Sequence, residues 1–216
     1  MAEIAAQLPR FDRIARAYRA MEYLSFGPML ERCRFHYLPT FGNARRALVL
    51  GDGDGRFVAR LLGGNPQLHA EAVDGSAAML ELLGRRVSRA GAEGRLRTAC
   101  ADARCYEPAA ADYDLVATHF FLDCLTEREA EELIARLRPR LAPGARWVVS
   151  EFRIPAGNRL AGWIVSALFA AFHLLTGLAV RHIPPWAELL QRHGLIRKDG
   201  RSWLGGLLVA ELWELP

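Results

Sequence analysis

Residues 48–56 read Leu-Val-Leu-Gly-Asp-Gly-Asp-Gly-Arg, LVLGDGDGR. The apolar run that leads into them, 46–50, is short and ends in glycine-rich sequence, which predicts a buried parallel strand. Residues 56–62 predict the helix that follows. Gly51, Gly53 and Gly55 therefore lie between a strand and a helix. Glycine permits the tight turn and lets backbone N–H groups approach a ligand closely. A dinucleotide-binding loop wants glycines at relative places one, three and six, the last for close helix–strand packing. Here place six is Arg56 and the glycines stand at one, three and five, a spacing that suits a ligand without a pyrophosphate.

Working outward, strands and helices alternate. Residues 68–74 predict a second strand, and Ser76 is a suitable N-cap for a helix with Leu80, Leu83 and Val87 in its stripe. Residues 96–102 and 113–120 predict the third and fourth strands. Thr126 and Glu129 have capping-box spacing, and Ala130, Leu133, Ile134 and Leu137 share one face of the helix they open. Pro143-Gly144 is expected to stop the chain before a fifth strand at 146–152. Such alternation implies a parallel sheet covered on both faces. At the C-terminal end, 195–203 and 207–215 are strand-like and joined only by Leu204-Gly205-Gly206. So short a joint makes an antiparallel pair, because parallel strands need a long crossover. Residues 1 to 40 read as helical.

The bulk numbers fit one α/β domain. The chain has 216 residues, 51% apolar and 24% charged, as in an ordinary globular protein. A formal charge of only +4 predicts no nucleic-acid partner, which needs a concentrated basic face. Nearly all the positive charge is arginine, Lys198 being the one lysine. Cys33, Cys100, Cys105 and Cys124 form no Cys-x-x-Cys pair and have no histidine at ligand spacing, so reduced thiols and no metal are expected. Residues 1–12 carry no apolar signal core, which predicts a cytoplasmic protein.

Two acidic residues end strands beside the glycines. Asp74 follows them by about 20 residues, where a carboxylate accepts hydrogen bonds from ribose hydroxyls. Asp102 ends the third strand and is placed to accept from an adenine amino group. Open α/β sheets bind ligands at this carboxyl edge. S-adenosylmethionine matches these groups: it has a ribose and an adenine, and an amino-acid end in place of pyrophosphate.

Over nearly its whole length the chain resembles the class I S-adenosylmethionine-dependent methyltransferases. GDGDG is similar to their first motif, AVDGSAAML to the ribose-binding motif, ACADA to the adenine segment and LRPRLAPGARWVVSEF to the helix–Pro-Gly–strand segment. The resemblance implies a Rossmann-like fold with a mostly parallel seven-stranded sheet and an antiparallel C-terminal hairpin. It implies a single domain over 1–216: a helical lid at 1–42, a cofactor-binding half at 43–152, a helical substrate cover at 153–194 and a hairpin at 195–216. It also implies a cofactor pocket of Tyr18, Gly51, Asp52, Gly53, Gly55, Asp74, Gly75, Met79, Ala101, Asp102, Ala103, His119 and Phe120. Met79 would pack on the adenine, and His119 and Phe120 would line the methionine end. Phe11-Asp12, Ala15, Tyr18, Met21 and Leu24-Ser25-Phe26-Gly27 look like the opening of the ubiquinone/menaquinone biosynthesis C-methyltransferases, whose opening helices close over the cofactor. Two departures stand out. Many members carry an acid two places before the first glycine, where this chain has Val49; Asp52 or Asp54 is then the candidate for the cofactor's ammonium. The quinone enzymes have an Arg-Asn-containing segment after the fourth strand, where this chain has HFFLDCL.

Methyl transfer mainly requires positioning and exclusion of water. An oxygen or carbon nucleophile also uses a general base. His119 is the candidate base by location, or else a positioning group. Asp123 would orient the base or bind the acceptor, or else cap a helix. Glu151 and Arg153 are expected to pair with each other. Residues 160–180 carry no charge, and a helical cover over an apolar acceptor site is the expectation, with Phe169, His173 and Thr176 as substrate contacts. A dimer interface or a shallow contact with the inner membrane face would use the same surplus. The expected function is methyl transfer from S-adenosylmethionine to a small, largely apolar acceptor, quinone-like or lipid-like, leaving S-adenosylhomocysteine, by a monomer or homodimer. The alternatives are a non-catalytic module that binds the donor and a nicotinamide-dependent oxidoreductase. Arg56 at the third glycine place and the lack of a Tyr-x-x-x-Lys pair stand against the oxidoreductase. Ile183-Pro184-Pro185-Trp186 resembles the Pro-Pro-aromatic motif of amino-group nucleic-acid methyltransferases, but Pro-Pro opening a helix accounts for it.

Overall fold

The computed structural model describes residues 26–155 and 182–216. A short helix α1 (Met29–Phe35) and a 3₁₀ turn (Leu38–Phe41) lead into β1 (Arg46–Leu50). Then come α2 (Arg56–Gly64), β2 (His69–Asp74), α3 (Ala77–Arg89), β3 (Leu96–Cys100), β4 (Tyr113–His119), α4 (Glu127–Leu137) and β5 (Leu141–Phe152). After the second gap follow α5 (Trp186–Arg192), β6 (Ile196–Trp203) and β7 (Leu208–Glu214).

The seven strands form one sheet in the order β3-β2-β1-β4-β5-β7-β6. β1 to β5 pair in parallel, and β7 runs antiparallel to both neighbours. The expected hairpin is therefore present, with Leu204-Gly205-Gly206 as its joint. The sheet order reverses between β1 and β4, so the loops after these strands part and leave a crevice at the carboxyl edge.

Alternation along β1 shows how the strand serves two cores. Val49 packs on one face with Phe57, Leu61, Leu83 and Val87 of α2 and α3. Leu48 and Leu50 pack on the other with Leu133 and Ile134 of α4 and Trp186 of α5. Helices α2 and α3 on one face and α4 and α5 on the other thus cover the parallel sheet, the reason its strands read as continuous apolar runs.

Local signals set the helix starts. Ser76 Oγ accepts from the Met79 N–H at 3.1 Å and begins α3. Thr126 and Glu129 form the full capping box of α4. Pro185 stands at the N-cap of α5, the ordinary use of Pro-Pro before a helix.

Two expectations need correction. β5 starts at Leu141, before Pro143-Gly144, because Tyr113 still pairs with Leu141 and the register slips before Leu115 meets Arg146. Gly144 takes φ +74° there and gives its N–H to Leu215 O at 2.8 Å, so the Pro-Gly step is a bulge inside the strand. The described part of the expected helix at 1–40 is broken into α1, with Pro28 at its N-cap, and the 3₁₀ turn, with Pro39 in its first two residues. Tyr18, Phe169, His173, Thr176 and the 160–180 segment lie outside the described residues. Among the described residues no helix is long and apolar enough to cross a membrane, and no cluster of His, Cys, Asp or Glu could hold a metal ion.

Candidate functional site

The loop after β1 is built from left-handed residues. Gly51, Gly53 and Gly55 have φ of +67°, +59° and +78°. Gly51 gives its N–H to Val73 O at 2.9 Å, extending the β1–β2 ladder before the chain turns. A Cβ on Gly51 would stand 2.5 Å from Cδ2 of Phe121, because the turn after β4 closes against this loop. A Cβ on Gly55 would stand 2.7 Å from the Cα of Leu83 in α3. Gly55 therefore fills the close-packing role that a dinucleotide loop gives to its third glycine, one place earlier in sequence.

Asp74 ties this loop to the next helix. Its Oδ2 accepts from Gly53 N–H at 3.2 Å and its Oδ1 from Ser76 N–H at 2.9 Å. A carboxylate has about four lone-pair sites, so oxygens held this way still accept from a ligand hydroxyl. Met79, 2% exposed, lies beneath Gly53 with its sulfur 3.7 Å from where a Cβ would be. Ala101 N–H donates to Asp74 O at 3.1 Å, which brings the end of β3 alongside, with Gly75 exposed above. Asp102 and Ala103 follow. Asp102 holds the guanidinium of Arg104 in a fork, with Nε at 2.9 and 3.0 Å and Nη2 at 2.7 Å. Burial raises the pKa of Asp102, but the hydrogen bonds and charge of Arg104 outweigh it and lower the net value. Asp102 stays ionised.

The other two acids of the loop serve the protein. Asp52 is buried and accepts from Val58 N–H at 2.9 Å and Phe57 N–H at 3.4 Å, capping α2. Burial pushes its pKa up to about 6, against the pull of Arg34. Asp54 holds Arg56 at 2.9 Å and Arg86 at 2.7 Å. Neither carboxylate is turned to the crevice as a ready partner for an ammonium group, and Val49 lies in the core.

A second group lies at the ends of β4 and β5. His119 is buried with its ring 4.3 Å from Phe57. Its Nδ1 is 2.9 Å from Ser150 Oγ, which donates to Cys33 O at 3.3 Å. The hydroxyl has one proton, so Nδ1 carries the imidazole hydrogen and Nε2 keeps its lone pair. Nε2 finds no partner among the described residues. Burial, then the charge of Arg34, hold His119 well below its ordinary pKa, so the ring is neutral. Phe120 adopts φ +54° and gives its N–H to Ser150 O at 2.7 Å.

Glu151 orders the turn that follows. Its Oε1 accepts from Phe121 N–H at 3.0 Å and Leu122 N–H at 2.7 Å. The residue is fully buried, and Oε2 has no partner among the described residues. Burial, then the neighbouring Asp123, push its pKa well above the carboxylate range. Asp123 is 5% exposed, and burial raises its pKa to about 6. Cys124 Sγ–H stands 3.5 Å from Asp123 Oδ1, and burial, then the neighbouring Asp123 and Glu151, push its thiol well above the usual pKa.

Residues 47–144 match a family model described as a methyltransferase domain. The fold of this chain recurs in solved structures. A Nostoc punctiforme protein described provisionally as an O-methyltransferase aligns over 98% of this chain and 64% of its own length, with 18% identity and a TM-score of 0.75. Mitomycin 7-O-methyltransferase MmcR aligns over 95% of this chain and 60% of its own, with 18% identity and a TM-score of 0.68. The N-methyltransferase NodS of Bradyrhizobium japonicum aligns over 95% of this chain and 99% of its own, with 15% identity and a TM-score of 0.58. The chain thus spans less than two thirds of the first two proteins. A comparison with curated proteins finds no match.

Within the matched residues 47–144, Gly51, Gly53, Asp74, Met79, Ala101 and Asp102 come together at one edge of the sheet. The expected pair of Glu151 with Arg153 is absent. Arg153 leaves the sheet after Phe152 and reaches across to Glu211 at 2.7 Å, while Glu151 turns to the N–H groups after β4. That use of Glu151 was missed in the sequence. Its one signal is an acid inside the apolar run VVSEF, where a charge needs donors.

Proposed function

We propose that this chain binds S-adenosylmethionine at the crevice beside β1 and β4 and methylates a small, largely apolar acceptor, releasing S-adenosylhomocysteine. The observation that carries this reading is the Gly51–Gly55 loop tied at Gly53 to one oxygen of Asp74, whose other oxygen holds Ser76 at the start of α3. The donor set fits the cofactor: Asp74 for ribose hydroxyls, ionised Asp102 for the adenine amino group and Met79 as an apolar platform. When bound, the cofactor supplies a methyl group already activated on a sulfonium.

The chain's own task is then to hold the acceptor and receive its proton. Asp123 suits a hydroxyl acceptor, because a carboxyl with a pKa of about 6 is ionised near neutrality yet more basic than a surface aspartate. Glu151 is a positioning residue: its Oε1 fixes the backbone that presents Asp123. His119 sits deeper, toward Phe57 and Ser150, and serves to shape the pocket wall. The names of the structural relatives include O- and N-methyltransferases, and the N-terminal resemblance to quinone C-methyltransferases adds carbon as an acceptor atom. The lid at 1–42, the cover at 153–194 and any shallow membrane contact belong to the same proposal.

Calorimetry with S-adenosylmethionine, S-adenosylhomocysteine and NAD tests the cofactor. Binding of the first two without NAD is expected; NAD binding, or none by the sulfur compounds, overturns the reading. Turnover of labelled methyl groups onto phenolic, quinone and amine acceptors separates an enzyme from a donor-binding module.

A further inference from the structure

Away from the crevice, α1, α2 and α3 enclose a cleft of about 320 Å³ whose lining includes four arginines, Arg56, Arg60, Arg86 and Arg89. Glu31 is the acid in that lining, and Asp54 touches it through Arg56 and Arg86. Among the described residues, two carboxylates, Glu31 and Asp54, pair with arginines of this cleft, and both pair with Arg56.

The arginines divide into two kinds. Arg56 and Arg86 are fixed: Asp54 gives one oxygen to each, and Arg86 Nε also donates to Asp54 O at 3.0 Å. Arg60 and Arg89 have no ion-pair partner among the described residues. Arg60 is nevertheless ordered, with its guanidinium 4.0 Å over the ring of Phe35. Stacking orients that cation without neutralising it, which lowers the cost of fixing it on a ligand. The space between the arginines stays open because the remaining lining residues are Ala59 and Ala90.

We propose that this cleft binds a phosphate-bearing anion. A monocarboxylate occupies a single guanidinium fork. A tetrahedral oxyanion with two charges and several acceptor oxygens engages guanidinium groups borne on two helices, and it answers Arg60 and Arg89, which lack an ion-pair partner among the described residues. The volume also admits a group larger than phosphate alone. Free phosphate compounds and phospholipid headgroups share this chemistry. The inference stands apart from the methyltransferase reading, since it concerns another surface.

The test compares the wild-type chain with a variant carrying Arg60→Ala and Arg89→Ala. Both residues are exposed and outside the crevice, so the variant should fold, checked by its circular dichroism. Pyrophosphate is titrated by calorimetry at low salt, and flotation is measured with phosphatidylcholine vesicles with and without phosphatidic acid. Wild-type binding to pyrophosphate, to phosphatidic acid vesicles or to both is expected, weakened about tenfold or more in the variant. Pyrophosphate binding without flotation assigns the site to a free compound, and flotation lost in the variant assigns it to a headgroup. No binding of either probe by the wild type, or equal binding by the variant, overturns the proposal.

Discussion

Replacing Gly55 by alanine separates packing from backbone strain in the glycine loop. Gly55 is the N-cap of α2 at φ +78°, so any other residue there incurs the left-handed penalty of about 1–2 kcal/mol. It also meets a wall. The new Cβ would lie 2.5 Å from Leu83 Cγ and 2.7 Å from Leu83 Cα. Leu83 is 1% exposed in the middle of α3, and its backbone cannot move without the helix. Overpacking of this kind costs about 1–3 kcal/mol more. Gly53→Ala is the control: it has φ +59°, but its Cβ meets only Met79 Sδ at 3.7 Å, an ordinary contact. A domain of this size loses about 2–4 °C of melting temperature per kcal/mol. Gly55→Ala should therefore melt about 4–20 °C below wild type, and Gly53→Ala about 2–8 °C below, by the same arithmetic. Thermal denaturation without ligand, followed by circular dichroism, measures both. Equal melting temperatures for the two variants would refute the assignment of Gly55 to helix packing.

Asp74→Asn keeps the size but replaces one acceptor oxygen by a donor, and calorimetry should show S-adenosylmethionine binding weakened by about 1–3 kcal/mol; unchanged affinity would remove Asp74 from the pocket. For Asp123, kcat/KM on a hydroxyl acceptor should rise with pH through a limb near 6, and Asp123→Asn should abolish that limb. The same residue shapes stability: its folded pKa lies above its usual 3.8, so the stability it adds is present below pH 4 and lost as pH rises through about 6. The wild type should lose on the order of 3 kcal/mol between pH 4 and 8 that Asp123→Asn does not lose, read from urea midpoints. Thr126→Ala removes the capping box of α4 and should cost about 1 kcal/mol of stability while leaving cofactor affinity unchanged; a shift in affinity would mean that α4 reaches the crevice.

Signals confined to a few neighbours were legible in the sequence. The bounds of β1, the Ser76 cap, the Thr126–Glu129 box and the closing hairpin each depend on residues within about five positions, or on one short joint. The early start of β5 was not legible, since Pro143-Gly144 reads as a stop unless Leu215 O is known to wait for the Gly144 N–H. The partners of acids were the least legible. Glu151 and Arg153 are two places apart and look paired, yet the strand ends between them. Each then answers a different demand: Glu151 that of the turn after β4, Arg153 that of buried Glu211.

The fate of the loop acids follows from the glycine that packs on α3. A helix start needs a side chain at its N-cap to accept the N–H groups of its second and third residues. In α2 the N-cap is Gly55, which the backbone of Leu83 allows no side chain. The unmet donors are the N–H groups of Phe57 and Val58, and both are buried. Leaving them unpaired would cost about 1–3 kcal/mol each, so another acceptor has to come from nearby. Asp52, three residues before the cap, fills that place with one oxygen for each donor. The acid in the first gap of GDGDG is thus recruited by the missing side chain in its last glycine. Asp54, in the second gap, is taken by Arg56 and Arg86, which join the loop to α2 and α3. The motif therefore presents backbone to a ligand and spends its charge on its own helices. Asp102 is likewise paired with Arg104, so the negative charge left for a bound cofactor comes from Asp74 at the end of β2 and from the turn after β4, where Asp123 stands.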